Sequence, residues 1–187
     1  MPILAREIDI YPEALLEQAE LGQEEHTRWW LLYTLPRREK EAMRRFRGLD
    51  IPFYGPLIAR RTQSPAGRVR EAYLPLFSSY IFIYGGDHAR HHAMTSNCVS
   101  RWLPVPDGAR LTRDLQQVRR MIESGEPLTP EARLQAGARV RVRSGSLKGI
   151  EGTVIRRSGG ARLLVAVNFL AKGASFLLGD FQVEPIA

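Results

Sequence analysis

LPLFSSYIFIY, residues 74–84, is the stretch on which the reading of the chain turns. It is apolar and aromatic, and too short to cross a bilayer. Its β-branched and aromatic side chains suit a strand buried on at least one face. Ser78 and Ser79 interrupt the run, so the strand is expected to begin near Tyr80. Alternation then sends Tyr80 and Phe82 to one face, and Ile81 and Ile83 to the other. Such a strand belongs near the centre of a sheet.

Upstream, residues 28–35 (RWWLLYTL) read as a second buried strand. Pro36 is expected to open a helix, where its fixed φ costs nothing. Ala42, Met43, Phe46 and Leu49 recur along one side of that helix, and Gly48 marks its end. The other side carries Arg37, Lys40, Arg44, Arg45 and Arg47, interleaved with Glu39 and Glu41. Residues 51–61 read as a strand, 62–67 (TQSPAG) as a loop, and 68–73 as the extended return. Arg60, Arg61, Arg68 and Arg70 therefore gather near one hairpin tip.

Downstream, Gly85 and Gly86 make a turn and Asp87 is expected to cap a short helix. Residues 99–103 form a brief strand containing Trp102. Thr112 is expected to cap a helix with Leu115, Val118 and Ile122 inward, ending at Gly125. This order implies an α+β domain, a mostly antiparallel sheet flanked by helices. Residues 126–131 (EPLTPE) read as a linker. Beyond it, Arg139, Arg141 and Arg143 alternate with Val140 and Val142, and glycine-rich turns separate short strands. That texture implies a small all-β barrel. The expected organisation is an acidic extension over 1–27, a domain over 28–125, a linker over 126–131 and a second domain over 132–187.

Charge is unevenly spread. Residues 1–27 hold seven acids and one base, a net −6, while the rest of the chain is +13. A basic body suits a polyanion or an acidic protein surface. The competing reading is a general preference for arginine over lysine on solvated faces, since only three basic residues are lysine. The extension can form one short amphipathic helix on Leu15, Leu16 and Ala19. It is either a free acidic tail or a segment that folds back and screens the basic body.

A lone cysteine, Cys98, excludes an internal disulfide framework and fits a reducing compartment. The first residues lack the pattern of a signal peptide, and no run is long enough for a membrane helix. A nucleophile elbow, a phosphate loop and a metalloprotease motif are all missing, so no catalytic residue, cofactor or enzyme activity is expected. His88, His91, His92 and Cys98 lack a recognisable ligand pattern, and no metal site is expected.

Five stretches, in order, resemble the NusG family of transcription factors, and more closely its specialised RfaH-type paralogs. WWLLYTLPRREKEAMRRF is similar to the family's opening strand and first helix, and LPLFSSYIFI to its L-F-P-x-Y-x-F-V strand. CVSRWLPV resembles the segment after the second helix. GARVRVRSGSLKGIEGTVIRR is similar to the KOW motif, with Gly152 at its most characteristic glycine, and DFQVEPI resembles the closing strand. Ser78 stands where the family has proline, and the extension is outside the family's core pattern.

The resemblance implies an amino-terminal NGN domain and a carboxy-terminal SH3-like KOW barrel. It implies docking on the clamp of the largest RNA polymerase subunit through Tyr33, Phe77, Tyr80, Phe82 and Trp102. For Tyr80 and Phe82 a place in the core competes with that role, whereas Tyr33 and Phe77 stand at the ends of apolar runs beside polar residues. His91 and His92 fall where relatives reach the opposite jaw, or are plain exposed helix residues. Lys40, Arg44, Arg45, Arg60, Arg61, Arg68 and Arg70 would face upstream DNA or the non-template strand. Phe169 is at the position used to meet a small-subunit ribosomal protein or the termination factor Rho, with a place in the barrel core as the competing reading. The implied function is elongation and antitermination by a cytoplasmic monomer with no membrane partner. An RNA-binding or ribosome-associated KOW protein, using the Arg139/Arg141/Arg143 stripe, is the alternative. In RfaH the second domain can refold as a helical hairpin. Here glycines at 149, 152, 159, 160, 173 and 179 favour the barrel, each costing about 1 kcal/mol inside a helix.

Overall fold

The computed structural model describes residues 7–22, 26–65, 67–179 and 181–186. Parts of the expected acidic extension, residues 1–6 and 23–25, lie outside the described residues. The chain divides into two compact units, residues 1–108 and 109–187.

The first unit runs β1 (Ile10–Tyr11), α1 (Leu15–Leu21), β2 (Arg28–Thr34), α2 (Glu39–Gly48), β3 (Phe53–Tyr54), β4 (Leu57–Gln63), β5 (Val69–Pro75), β6 (Tyr80–Gly85), α3 (Asp87–Thr95) and β7 (Val99–Pro104). Five strands form one antiparallel sheet in the order β1-β3-β6-β2-β7, and β4 with β5 makes a separate hairpin. Strand β6 is the middle strand, and β2 beside it is interior as well, with Trp29, Trp30, Leu31 and Leu32 all buried, which needs cover on both faces. One core joins Trp30, Leu32, Ile81 and Ile83 to Ala42, Met43 and Phe46 of α2 and Ala93 of α3. Phe82 faces the other way, edge-on to Trp29. The alternation expected for residues 80–83 is thus the alternation found.

Several boundaries differ from the sequence expectation. The helix after Pro36 begins only at Glu39, because Arg37 takes a left-handed φ of 63° and the chain turns there first. Residues 51–61 do not form one strand. They split around Gly55-Pro56 into β3, in the main sheet, and β4, in the hairpin. Proline has no N–H to give a ladder, which suits the break. Asp87 lies in the first turn of α3, and its N-cap is Gly86.

The extension folds back in part. Ile10 and Tyr11 pair with Tyr54 and Phe53, and the Asp9 carbonyl accepts the Gly55 N–H at 2.8 Å. Leu15 and Leu16 are fully buried, each contributing about 2 kcal/mol by leaving water.

The second unit takes in α4 (Gly108–Glu123), β8 (Thr129–Glu131), β9 (Arg139–Val142), β10 (Glu151–Arg157), β11 (Gly160–Val167), the short 3-10 turn Asn168–Leu170, β12 (Lys172–Leu177) and β13 (Val183–Pro185). Helix α4 starts four residues before Thr112, directly after Asp107, so Thr112 lies inside it and is buried. Met121 takes the buried place expected of Ile122. The strands form one antiparallel sheet in the order β13-β9-β10-β11-β12-β8. Gly152 has a physical reason: a Cβ there would lie 2.4 Å from the Leu164 carbonyl oxygen, where backbone cannot yield. The fold is therefore α+β, with a β-rich carboxy-terminal part.

Strand β8 is tied down by a polar knot. Glu131 accepts hydrogen bonds from the Ser175 hydroxyl at 2.7 Å and from Arg157 at 2.8 Å. Arg162 binds Ser175 and Thr129. Burial alone would push the Glu131 carboxyl up. The hydrogen bonds from Ser175 and Arg157, with the charges of Arg157 and Arg162, outweigh it and hold the carboxyl below its ordinary value. Such a group adds stability that is complete above the unfolded value, about 4.3, and is lost as pH falls through the folded value. Thermal unfolding from pH 7 to 3 is expected to fall more steeply for the wild type than for Glu131→Gln. The variant should start lower at pH 7 and converge in acid; parallel curves would remove this role.

Candidate functional site

Strand β2 changes character along its length. Trp29 to Leu32 are dry, whereas Tyr33 is half-exposed. Antiparallel pairing places Tyr33 between Tyr80 of β6 and Arg101 of β7. The Tyr33 and Tyr80 rings lie 4.9 Å apart at 56°, and the Arg101 guanidinium sits 3.9 Å over the Tyr33 ring. Three adjacent strands thus present one row, Tyr80–Tyr33–Arg101, just beyond the buried Trp29 and Leu31 of the same face.

The turn that delivers Tyr80 is held from α2. The Tyr80 N–H bonds to the Phe77 carbonyl at 3.1 Å, closing a four-residue turn. Its third residue, Ser79, has φ 66°, a region that favours glycine or asparagine and costs serine about 1 kcal/mol. Its second residue, Ser78, occupies the position where proline would preset the turn. The Glu39 carboxylate offsets both deficits: it is 7% exposed and accepts the Ser79 N–H at 2.7 Å. Thr34 adds a backbone bond to the Ser79 carbonyl at 3.0 Å.

The other aromatic candidates are placed differently. Phe82 is 0% exposed and Phe77 3%. Trp102 lies on the opposite face from Tyr33, packed edge-on to Trp30 and under the Arg90 guanidinium at 4.1 Å. His91 and His92 are exposed on α3; His92 stacks on His88 and His91 bonds Arg90. No group of three or more His, Cys, Asp or Glu is arranged to hold a metal among the described residues.

The basic candidates separate into tied and untied groups. Arg44 pairs with Glu7 of the extension. Arg45 pairs with Glu41 at 2.7 Å and bonds the Ser96 carbonyl at 2.9 Å. Arg61 pairs with Glu71 at 3.1 Å. Lys40, Arg60, Arg68 and Arg70 make no ion pair among the described residues. In the hairpin register, Arg60 and Arg70 share one face, across from Arg61. In the second unit, Phe169 is 36% exposed on the 3-10 turn. That turn is fixed by Asp114 of α4, whose carboxylate accepts both the backbone and side-chain N–H groups of Asn168 at 2.8 and 3.0 Å.

Residues 27–132, more than half of the chain, match the family model described as transcription termination factor nusG. The chain belongs to the NusG family. Among solved structures it is similar to Thermotoga maritima NusG, described as showing domain interaction. That match has 15% identity and a TM-score of 0.40, and covers 86% of this chain and 93% of that one. Among the curated proteins compared, none matches. No helix among the described residues is long and apolar enough to cross a membrane.

Within this NusG-family fold, the sequence-derived aromatic set resolves into a half-buried pair on one face, Tyr33 and Tyr80, a half-buried Trp102 on the other face, and the buried Phe77 and Phe82. Sequence reasoning missed Arg101 and Glu39. The signal for Arg101 is its place in the alternation Ser100-Arg101-Trp102, which sets it on the face opposite Trp102. Glu39 had no signal, since it reads as one more charge on a solvated helix face. Removing its acceptor by Glu39→Ala is expected to destabilise the chain by about 2 kcal/mol, the range for a lost hydrogen bond to a charged group. Adding Ser79→Gly should restore part of that by relieving the left-handed serine. Denaturant unfolding measures both, and an unchanged midpoint in Glu39→Ala would exclude this role for the Glu39 carboxylate.

Proposed function

We propose that this NusG-family transcription factor is an RfaH-like elongation and antitermination factor whose first unit docks on the RNA polymerase clamp. The observation that carries this reading is the Tyr33–Tyr80 pair, two half-exposed aromatic rings held on a rigid three-strand row. Rigid aromatic side chains in a partly desolvated setting are the groups that dominate protein interfaces. Phe77 and Phe82 are buried, which leaves Tyr33 and Tyr80 as the accessible aromatic anchors on this face. Docking that favours a closed clamp lowers pausing by differential binding alone, with no chemical step.

Arg60, Arg68 and Arg70 of the hairpin, with Lys40, are the cations best suited to upstream DNA or the non-template strand, because no ion pair occupies them among the described residues. The second unit is read as a KOW domain that recruits a small-subunit ribosomal protein or Rho through Phe169. The alternative, RNA binding through Arg139, Arg141 and Arg143, is less well supported. Glu151 pairs with Arg141 at 2.5 Å, and Glu184 reaches Arg143 at 3.5 Å, so the stripe is largely neutralised. The proposed setting is the cytoplasm, as a monomer.

The first test is binding of the full-length chain to core RNA polymerase. Tyr33→Ala with Tyr80→Ala is expected to weaken it at least about tenfold, as loss of an aromatic hot spot does. Folding is checked by circular dichroism. No binding by the wild type, or equal binding by a folded variant, would overturn the docking reading. The second test is the salt dependence of single-stranded DNA binding. Arg60→Ala with Arg70→Ala is expected to reduce the log–log slope by about 1.4, roughly 0.7 per lost phosphate contact. An unaltered slope would assign these arginines to solvent.

A further inference from the structure

We propose that Arg101 is a binding residue of the Tyr33–Tyr80 row, and that it receives a carboxylate from the docked protein. The inference rests on the docking reading above and adds the chemistry of the partner at that place. Arg101 is exposed and makes no ion pair among the described residues, yet it is not a loose surface charge. Its strand register fixes it directly opposite Tyr33. Its guanidinium carbon lies 3.9 Å from the centre of the Tyr33 ring, a cation–π contact that holds the side chain against the row. The contact leaves its N–H donors without a hydrogen-bond partner among the described residues, and those donors match a carboxylate in bidentate fashion. The side-chain entropy of binding is reduced because the ring already restricts the arginine.

The surroundings favour a protein carboxylate over a nucleic-acid phosphate. Arg101 stands among apolar and aromatic groups: Tyr33 and Tyr80 beside it, and the 42% exposed Leu103 two residues along the same face. Polyanion sites collect several cations along a stripe, and the first unit has such a set elsewhere, on the β4–β5 hairpin. A single arginine stacked on tyrosine within an apolar rim is the composition of a protein interface. The partner that fits is a surface with an acidic side chain next to apolar residues.

The test uses the full-length chain and core RNA polymerase, with association rates measured over a series of salt concentrations. Arg101→Glu is expected to lower affinity at least about tenfold at low salt, mostly in the association rate, with the gap shrinking as salt rises. Arg101→Gln should fall between the two, and Arg101→Lys should keep the charge but recover affinity only in part. Equal losses in Glu and Gln variants at every salt concentration would mean that only the packing on Tyr33 matters, and would overturn the proposal. So would a loss confined to DNA binding. If Tyr33→Ala with Tyr80→Ala abolishes polymerase binding while Arg101→Glu leaves it intact, the docking reading stands and the carboxylate fails. If none of these variants changes binding, the docking reading itself fails.

Discussion

Four consecutive buried residues, Trp29, Trp30, Leu31 and Leu32, impose the constraint on which the first unit depends. A strand sends alternate side chains to opposite faces, so a dry run of this length must be covered on both. That places β2 between β6 and β7, and it fixes the register: a one-residue slip would exchange the two faces' side chains. Helices α2 and α3 cover the face of Trp30 and Leu32. The Trp30 indole N–H, which must be satisfied once buried, donates to the Gly85 carbonyl at 2.9 Å.

The Tyr80–Tyr33–Arg101 row lies where this constraint ends. Tyr33 is the first residue of β2 after the dry run to meet water, and the ladder carries its position to Tyr80 and Arg101 on either side. A row built on paired strands is held more firmly than one built on loops. Its weak point is the Ser78-Ser79 turn, which lacks the residues that would shape it unaided. A nearly buried carboxylate on α2 does that work from outside the turn. The row therefore depends on a contact across forty residues of sequence as well as on its own strands.

Much of this was legible from pattern alone. Continuous apolar runs located β2 and β6, which are buried on both faces, and periodicity located α2 by its single buried stripe and short strands of the second unit such as β9 by alternation. What pattern could not give was orientation and pairing. Trp102 and Tyr33 are adjacent in the ladder, yet they face opposite ways, and aromatic character alone does not tell which way a strand residue points. Arg44 and Arg61 read as open cations until Glu7 and Glu71 are found against them. Gly55-Pro56 divided a stretch that reads as one strand, since hydrophobicity continues across the break while the hydrogen-bond ladder does not. The family was readable because its motifs recur in order; Glu39 and Arg101 were not, because their roles depend on partners distant in sequence.

The return of the extension onto β3 has a bearing on the solubility of shortened chains. Ile10 and Tyr11 occupy the outer hydrogen-bonding edge of a sheet whose next strand is only Phe53 and Tyr54. Without them, Phe53 and Tyr54 would lie on an unpaired backbone edge facing solvent. Such an edge is a template for pairing with a second chain. The acidic segment is thus a guard against self-association as well as a charge carrier. A shortened first unit that begins at residue 28 should show concentration-dependent aggregation, whereas the full-length chain, with that edge occupied, should not.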